Sequence, residues 1–166
     1  MDTKRIVTSV AALFLAWSWG VAQSAPVMVE AVVSPKEQIR LDFADGSRHF
    51  VAMVRRDGKS TGSGPLAGAD VSEYGYHDVV PGEGGDPRGY LTFSKDGGHA
   101  YIKWTIRAVF VPGPEGKPVL LDQGFWEVVG GTGQFKGMKG AGTIHLKGVS
   151  PTDRKFILTG DLVPAL

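Results

Sequence analysis

The chain has no cysteine among its 166 residues. That excludes disulfide scaffolds, cysteine-based zinc sites, cysteine nucleophiles and a lipid-modified N-terminal cysteine. It also lacks an excess of charge of either sign, with 18 Lys and Arg against 17 Asp and Glu. A nucleic-acid binder or a polybasic membrane-surface protein needs a charged stripe, so neither nucleic acid nor an anionic membrane is an expected partner. Beyond the first two dozen residues there is no apolar run long enough to span a bilayer. No stretch of ten residues there combines helical spacing with caps. A disordered chain is excluded in turn, because 42% of the residues are hydrophobic.

What is abundant is glycine, 24 residues without a G-X-Y period. Turns and tight strand bends are the use this implies. The N-terminus has three parts: basic Lys4 and Arg5, an apolar run from Ile6 to Ala22, and small residues around Ala22, Ser24 and Ala25. This is the pattern of a secretory signal peptide over residues 1–24, with residues 25–166 as a single exported domain, periplasmic or secreted. Removing Asp2, Lys4 and Arg5 leaves equal numbers of basic and acidic residues. No membrane contact is expected once the signal is cleaved. With no disulfides, the domain must rely on its core, which about 140 residues can supply.

From Pro26 onward the hydrophobic period is two. In the longest case Ala100, Ile102, Trp104, Ile106, Ala108 and Phe110 share one face, and Tyr101, Lys103, Thr105 and Arg107 the other. The same alternation marks Ile39-Leu41-Phe43, Phe50-Ala52-Val54, Leu91-Phe93, Trp126-Val128, Ile144-Leu146 and Phe156-Leu158. Asp45-Gly46 and Asp96-Gly97-Gly98 are hairpin turn signals. Asp57 to Asp70 and Pro81 to Gly89 are expected to be glycine-rich loops. The spacing predicts an all-β domain of eight or nine strands. A closed antiparallel β-barrel of about eight strands, or a sandwich, accommodates it; closure removes exposed edges.

Six of the thirteen residues from Gly130 to Gly142 are glycine. A dinucleotide fingerprint is excluded, because Lys136 stands where the third glycine belongs and no helix follows. A structural account fits: the chain turns through Gly130–Gly133, buries Phe135 as an anchor, and re-enters a strand near Gly142. The run Gly130-Gly131-Thr132-Gly133-Gln134-Phe135-Lys136-Gly137, followed by Gly140 and Gly142, resembles the glycine-rich segment of the allene oxide cyclase/dirigent superfamily. Exported bacterial proteins of uncharacterised role carry similar segments. The resemblance implies an eight-stranded antiparallel barrel with an apolar central cavity, and often a homotrimer. Plant members cyclise an unstable epoxide or orient phenoxy radicals for coupling. Their functional acids lie on other strands and match no position here, so no catalytic residue is assigned.

Candidate ligand-binding residues come from two places. On Val71 to Val79, alternation puts Tyr74, Tyr76 and Asp78 on one face and Glu73 and His77 on the other. If the tyrosine face points inward, its hydroxyls and the Asp78 carboxyl meet a ligand; if it points outward, the tyrosines are wall residues. Trp104 and Trp126, on inner faces, either fill the barrel or line its pocket. His49, His77, His99 and His145 form no metal-binding pair in sequence, Glu83 and Asp86 are a weak calcium signal, and Ser60, Thr61 and Ser63 lack a hydrolase elbow. No metal and no cofactor is therefore expected. The leading expectation is a barrel that binds a small apolar or aromatic molecule without catalysis. The alternatives are an enzyme that shapes a reactive intermediate and a structural or interaction protein forming a homotrimer. Val51, Met53, Val109 and Val111 on otherwise polar faces would make the subunit contact.

Overall fold

In the computed structural model, residues 23–164 are described. The signal peptide expected over residues 1–24 lies almost wholly outside the described residues, and the first strand begins at Ala25. Nine strands follow: β1 (Ala25–Asp42), β2 (Phe50–Ser63), β3 (Asp70–Val80), β4 (Gly84–Gly85), β5 (Arg88–Lys95), β6 (Gly98–Pro112), β7 (Pro118–Gly131), β8 (Met138–Gly148) and β9 (Arg154–Pro164). Eight of them pair antiparallel in chain order, and β1 closes the ring against β9. The expected closed β-barrel is the fold. The two-residue β4 bridges β3 and β6 beyond the end of the short β5. Among the described residues no helix is long and apolar enough to cross a membrane.

The period-two pattern maps onto the barrel wall. On β6, Ala100, Ile102, Trp104 and Ile106 are buried, Ala108 and Phe110 are half-buried, and Tyr101, Lys103, Thr105 and Arg107 face solvent. Inner residues of β7, β8 and β9 follow the same alternation through Trp126, Val128, Ile144, Phe156 and Leu158. Asp96 and Gly97 both have positive φ, the backbone that a two-residue primed turn requires, and they join β5 to β6.

One end of the barrel is packed solid. Leu66, Ala69, Phe93, Phe135 and Leu162 are buried there. Phe135 sits in a 3-10 turn and is 1% exposed, which is the anchoring role expected of the glycine-rich segment. The segment is also tied down by polar contacts. Thr132 Oγ1 accepts from the His99 N–H at 3.0 Å, and Gln134 Nε2 donates to the Lys95 carbonyl at 2.7 Å.

Three local expectations are corrected. Asp57 to Ser63 is not loop but the second half of β2. Ser60 is buried, donating to the Leu66 carbonyl at 2.6 Å and accepting from the Ala69 N–H at 3.0 Å. Pro81 to Gly89 contains β4. Ile39, Leu41 and Phe43 alternate as expected but face outward, Ile39 and Leu41 at 76% and 61% exposure. A bulge at Lys36, where the pairing steps from Pro35↔Arg56 to Glu37↔Arg55, is the cause. One extra residue moves every later side chain of the strand to the opposite face.

Candidate functional site

The other end of the barrel is open. A cavity of 330 Å³ lies there, walled by apolar groups that include Phe50, Val54, Val79, Phe110, Leu120 and Leu146. These residues come from β2, β3, β6, β7 and β8. Each continues the inner-face alternation of its strand past the point where the packed core stops.

Polar groups also line this cavity. Arg56 and Glu73 are direct cross-strand partners on β2 and β3. Their ion pair is 2.7 Å long, between Arg56 Nη1 and Glu73 Oε2, and Glu73 is fully buried. His77 follows Glu73 by four residues on the same face. Its Nε2 lies 3.0 Å from Glu73 Oε1 and 3.2 Å from Arg56 Nη1. With the ring proton on Nε2 the imidazole donates to Glu73. In the other neutral tautomer Nε2 accepts from Arg56, so one contact is served at a time. Gly75 lies between the two side chains, and a Cβ there would come within 2.7 Å of His77 Nε2 and closer still to Glu73 Oε1. The bridge between Glu73 and His77 therefore requires glycine beneath it.

Two further guanidiniums reach the cavity. Arg40 is compensated by Asp42, whose hydrogen bonds raise its pKa above the ordinary arginine value. Arg154 differs. Its hydrogen bonds among the described residues go to the main-chain carbonyls of Ser150, Pro151 and Asp153, the shortest at 2.8 Å. Burial lowers its pKa and the like charge of Arg56 lowers it further, while Glu73 and Asp153 act in the opposite direction. The cavity is thus lined by the guanidiniums of Arg40, Arg56 and Arg154 and by the His77 imidazole among mostly apolar walls, with the Glu73 carboxylate buried behind Arg56 and His77. Such an arrangement can hold the acceptor or anionic end of a small molecule, and it places an imidazole, backed by a buried carboxylate, where it could exchange a proton with one.

The structure divides the residues singled out in sequence. Trp104 and Trp126 face inward as direct cross-strand partners, both nearly fully buried. Trp126 Nε1 donates to the Thr159 carbonyl at 3.2 Å, and Trp104 packs edge-on against Phe156 with centroids 5.1 Å apart. They fill the barrel below the cavity. Tyr74, Tyr76 and Asp78 are on the outer face, so the inward alternative for that face is corrected. Tyr74 is 53% exposed, the Arg88 guanidinium covers the Tyr76 ring at 4.5 Å, and Asp78 accepts from or pairs with His49 Nε2 at 2.6 Å. Tyr74 and Tyr76 border a wide outer groove together with Ile39, Met53, Arg88 and Tyr90. Asp86 is paired with Arg107 at 2.7 Å.

Sequence reasoning missed Arg56 and Arg154. A signal was available. Arg56 continues the inner run Phe50-Ala52-Val54, and Arg154 precedes the inner run Phe156-Leu158 by two residues.

No protein-family model matches the chain, and no curated protein matches it in sequence. Among solved structures it is similar to the pterocarpan synthase dirigent protein GePTS1, at 13% identity and a TM-score of 0.48 over 96% of this chain and 98% of that one. It is also similar to a conserved protein of unknown function from Rhodopseudomonas palustris, at 11% identity and a TM-score of 0.46 over 86% of this chain and 98% of that one. The barrel itself stands on the strand pairing of this chain.

Proposed function

We propose that the protein is exported and binds a small, largely apolar or aromatic molecule in the cavity at the open end of its barrel, without catalysis. The observation that carries the reading is the contrast between the two ends. One is packed by Leu66, Phe93 and Phe135, while the other keeps 330 Å³ behind apolar walls. A ligand that buries about 200 Å² of apolar surface there gains roughly 5 kcal/mol before association costs are subtracted, so the affinity is modest. Export rests on the N-terminal pattern of residues 1–24. Kinship with the allene oxide cyclase/dirigent superfamily rests on the Gly130–Gly142 segment.

The test is a thermal-shift screen of small hydrophobic molecules, followed by native mass spectrometry. Binding is expected at one molecule per barrel and is expected to be lost in Val54→Trp, which fills the cavity. Ligands that bind wild type and Val54→Trp equally would refute the site. N-terminal sequencing of the exported product checks cleavage near residue 24.

A second reading is favoured by one observation: His77 lines the cavity, and its Nε2 lies 3.0 Å from the buried Glu73 carboxylate behind it. In that reading the barrel orients a reactive intermediate and the pair moves a proton. It requires turnover that disappears in His77→Phe while ligand binding persists. The homotrimer is a further proposal for the outer face, where Met28, Met53 and Phe125 are each more than 60% exposed. Sedimentation showing only monomer at micromolar concentration counts against it.

A further inference from the structure

We propose that the cavity takes a carboxylic acid with an apolar body, its carboxylate received between Arg56 and Arg154. The inference rests on the binding reading above and narrows it to one chemical class.

Charge is the first support. Arg56 is opposed by Glu73, and Arg40 by Asp42, but Arg154 is hydrogen-bonded only to carbonyls among the described residues. Its pKa is lowered first by burial and then by the charge of Arg56. Two like charges brought together in a partly desolvated space are stabilised by an anion placed between them.

An unused donor is the second support. Arg56 lines the cavity at 7% exposure, and its Nε is buried without a partner. Native structures leave few buried donors unpaired, and each carries a desolvation penalty that an acceptor relieves. Acceptors here are short: both Glu73 oxygens are already engaged, by Arg56 and by His77. What the site lacks is an acceptor with two oxygens, and a guanidinium receives a planar carboxylate through paired N–H groups.

Size is the third. At about 30 Å³ for each water-sized group, 330 Å³ corresponds to roughly a dozen non-hydrogen atoms. The apolar walls accept an aliphatic or an aromatic body, and the shared chemistry is the acid head on a greasy stem of that length.

The experiment is calorimetric titration of the folded protein at neutral pH with octanoate and 4-phenylbutanoate, each against its own primary amide. The acid is expected to bind at least tenfold more tightly than its amide, about 1.4 kcal/mol. Arg154→Gln is expected to weaken the acid at least fivefold and to leave the amide within twofold. Loss of the Arg56–Glu73 pair could unfold the barrel if only one partner were removed. The double variant Arg56→Met/Glu73→Leu removes both charges together, and it is expected to erase the preference for the acid. Acid and amide binding within twofold of each other in wild type would overturn the inference and leave the apolar-ligand reading standing. An acid preference that survives Arg154→Gln unchanged would overturn the assigned receptor. Failure of all four compounds to bind at millimolar concentration would overturn both.

Discussion

Glu73 is the residue whose substitution tests the buried polar cluster most directly. Its carboxylate is fully buried, and its partner Arg56 has a side chain only 9% exposed. Removing one partner of such a pair leaves an uncompensated charge in a poorly solvated place and costs about 3–5 kcal/mol. Glu73→Gln keeps the side-chain shape and an oxygen that can accept from Arg56 Nη1, so the lower end of the range applies, about 3 kcal/mol. For a domain of this size 1 kcal/mol moves Tm by roughly 3–4 °C, so Glu73→Gln should melt about 10 °C below wild type. Arg56→Met/Glu73→Leu exchanges the pair for apolar groups of similar length. It leaves no stranded charge and should stay within about 5 °C of wild type. Thermal and urea unfolding followed by tryptophan fluorescence supply both numbers, with an unchanged urea slope as the check that only stability has moved. Glu73→Gln within about 1 kcal/mol of wild type, or a double variant less stable than the single one, would refute a dry, mutually compensating pair.

The remaining expectations are local. Gly75→Ala should displace Glu73 and His77, since its Cβ would fall within 2.7 Å of His77 Nε2, and should cost about 1–3 kcal/mol, read by urea unfolding together with the His77 imidazole resonances. Gly160→Ala meets rigid neighbours instead, the Gly142 Cα at 2.8 Å and the Trp126 ring at 2.7 Å, so it should destabilise more than Gly75→Ala in the same assay. Tyr74→Ala and Asp78→Asn, both on the outer face, should change affinity for a cavity ligand by less than about twofold (under 0.5 kcal/mol) in calorimetry. Asp45 has its pKa lowered, first by the Ser47 hydroxyl and then by the Ser47 N–H. Its folded value lies below its unfolded one, so its contribution is present above the ordinary carboxylate range and is lost as pH falls through the folded value. An NMR titration of the Asp45 carboxyl should show that Ser47→Ala moves the midpoint up.

Regular alternation carried most of the fold into the sequence. A β-strand has a fixed side-chain period, so spacing alone assigns Ala100 to Phe110 to a face and puts Trp104 and Trp126 inside. The Phe135 anchor was legible because a lone large apolar residue among glycines has little to do except fill a hole. The polar site was harder. The aromatic Tyr74/Tyr76 face is the conspicuous one in sequence, whereas the inner face of β3 is built from Val71, Glu73, Gly75, His77 and Val79. Its two ends are apolar and its middle carries polar side chains. Hydrophobicity summed along such a strand points the wrong way, because these polar groups are satisfied by one another and by Arg56, which lies on a different strand and is invisible to any local count.

The bulge in β1 shows why alternation fails at the mouth of the barrel in particular. Up to Pro35 the odd-numbered residues face inward, Val27, Val29, Ala31 and Val33 among them. Lys36 is unpaired, and from there Gln38 and Arg40 line the cavity while Ile39 and Leu41 face solvent. Had the register continued unbroken, Ile39 and Leu41 would have filled the space that Gln38 and Arg40 now border, and the open end would resemble the packed one. The extra residue exchanges apolar filling for polar lining, and so it keeps the cavity open. Deleting Lys36 removes the unpaired residue and joins Pro35↔Arg56 directly to Glu37↔Arg55, so the later pairing is kept: the barrel should persist, Gln38 and Arg40 should still border the cavity, Ile39 and Leu41 should stay exposed to solvent, and ligand binding should change by less than about threefold, under ~0.7 kcal/mol. Hydrogen exchange across β1 and calorimetry with a cavity ligand read the two consequences separately. A deletion variant in which Ile39 and Leu41 become protected and ligand binding is lost would show that the pairing after the bulge does not set which residues line the cavity.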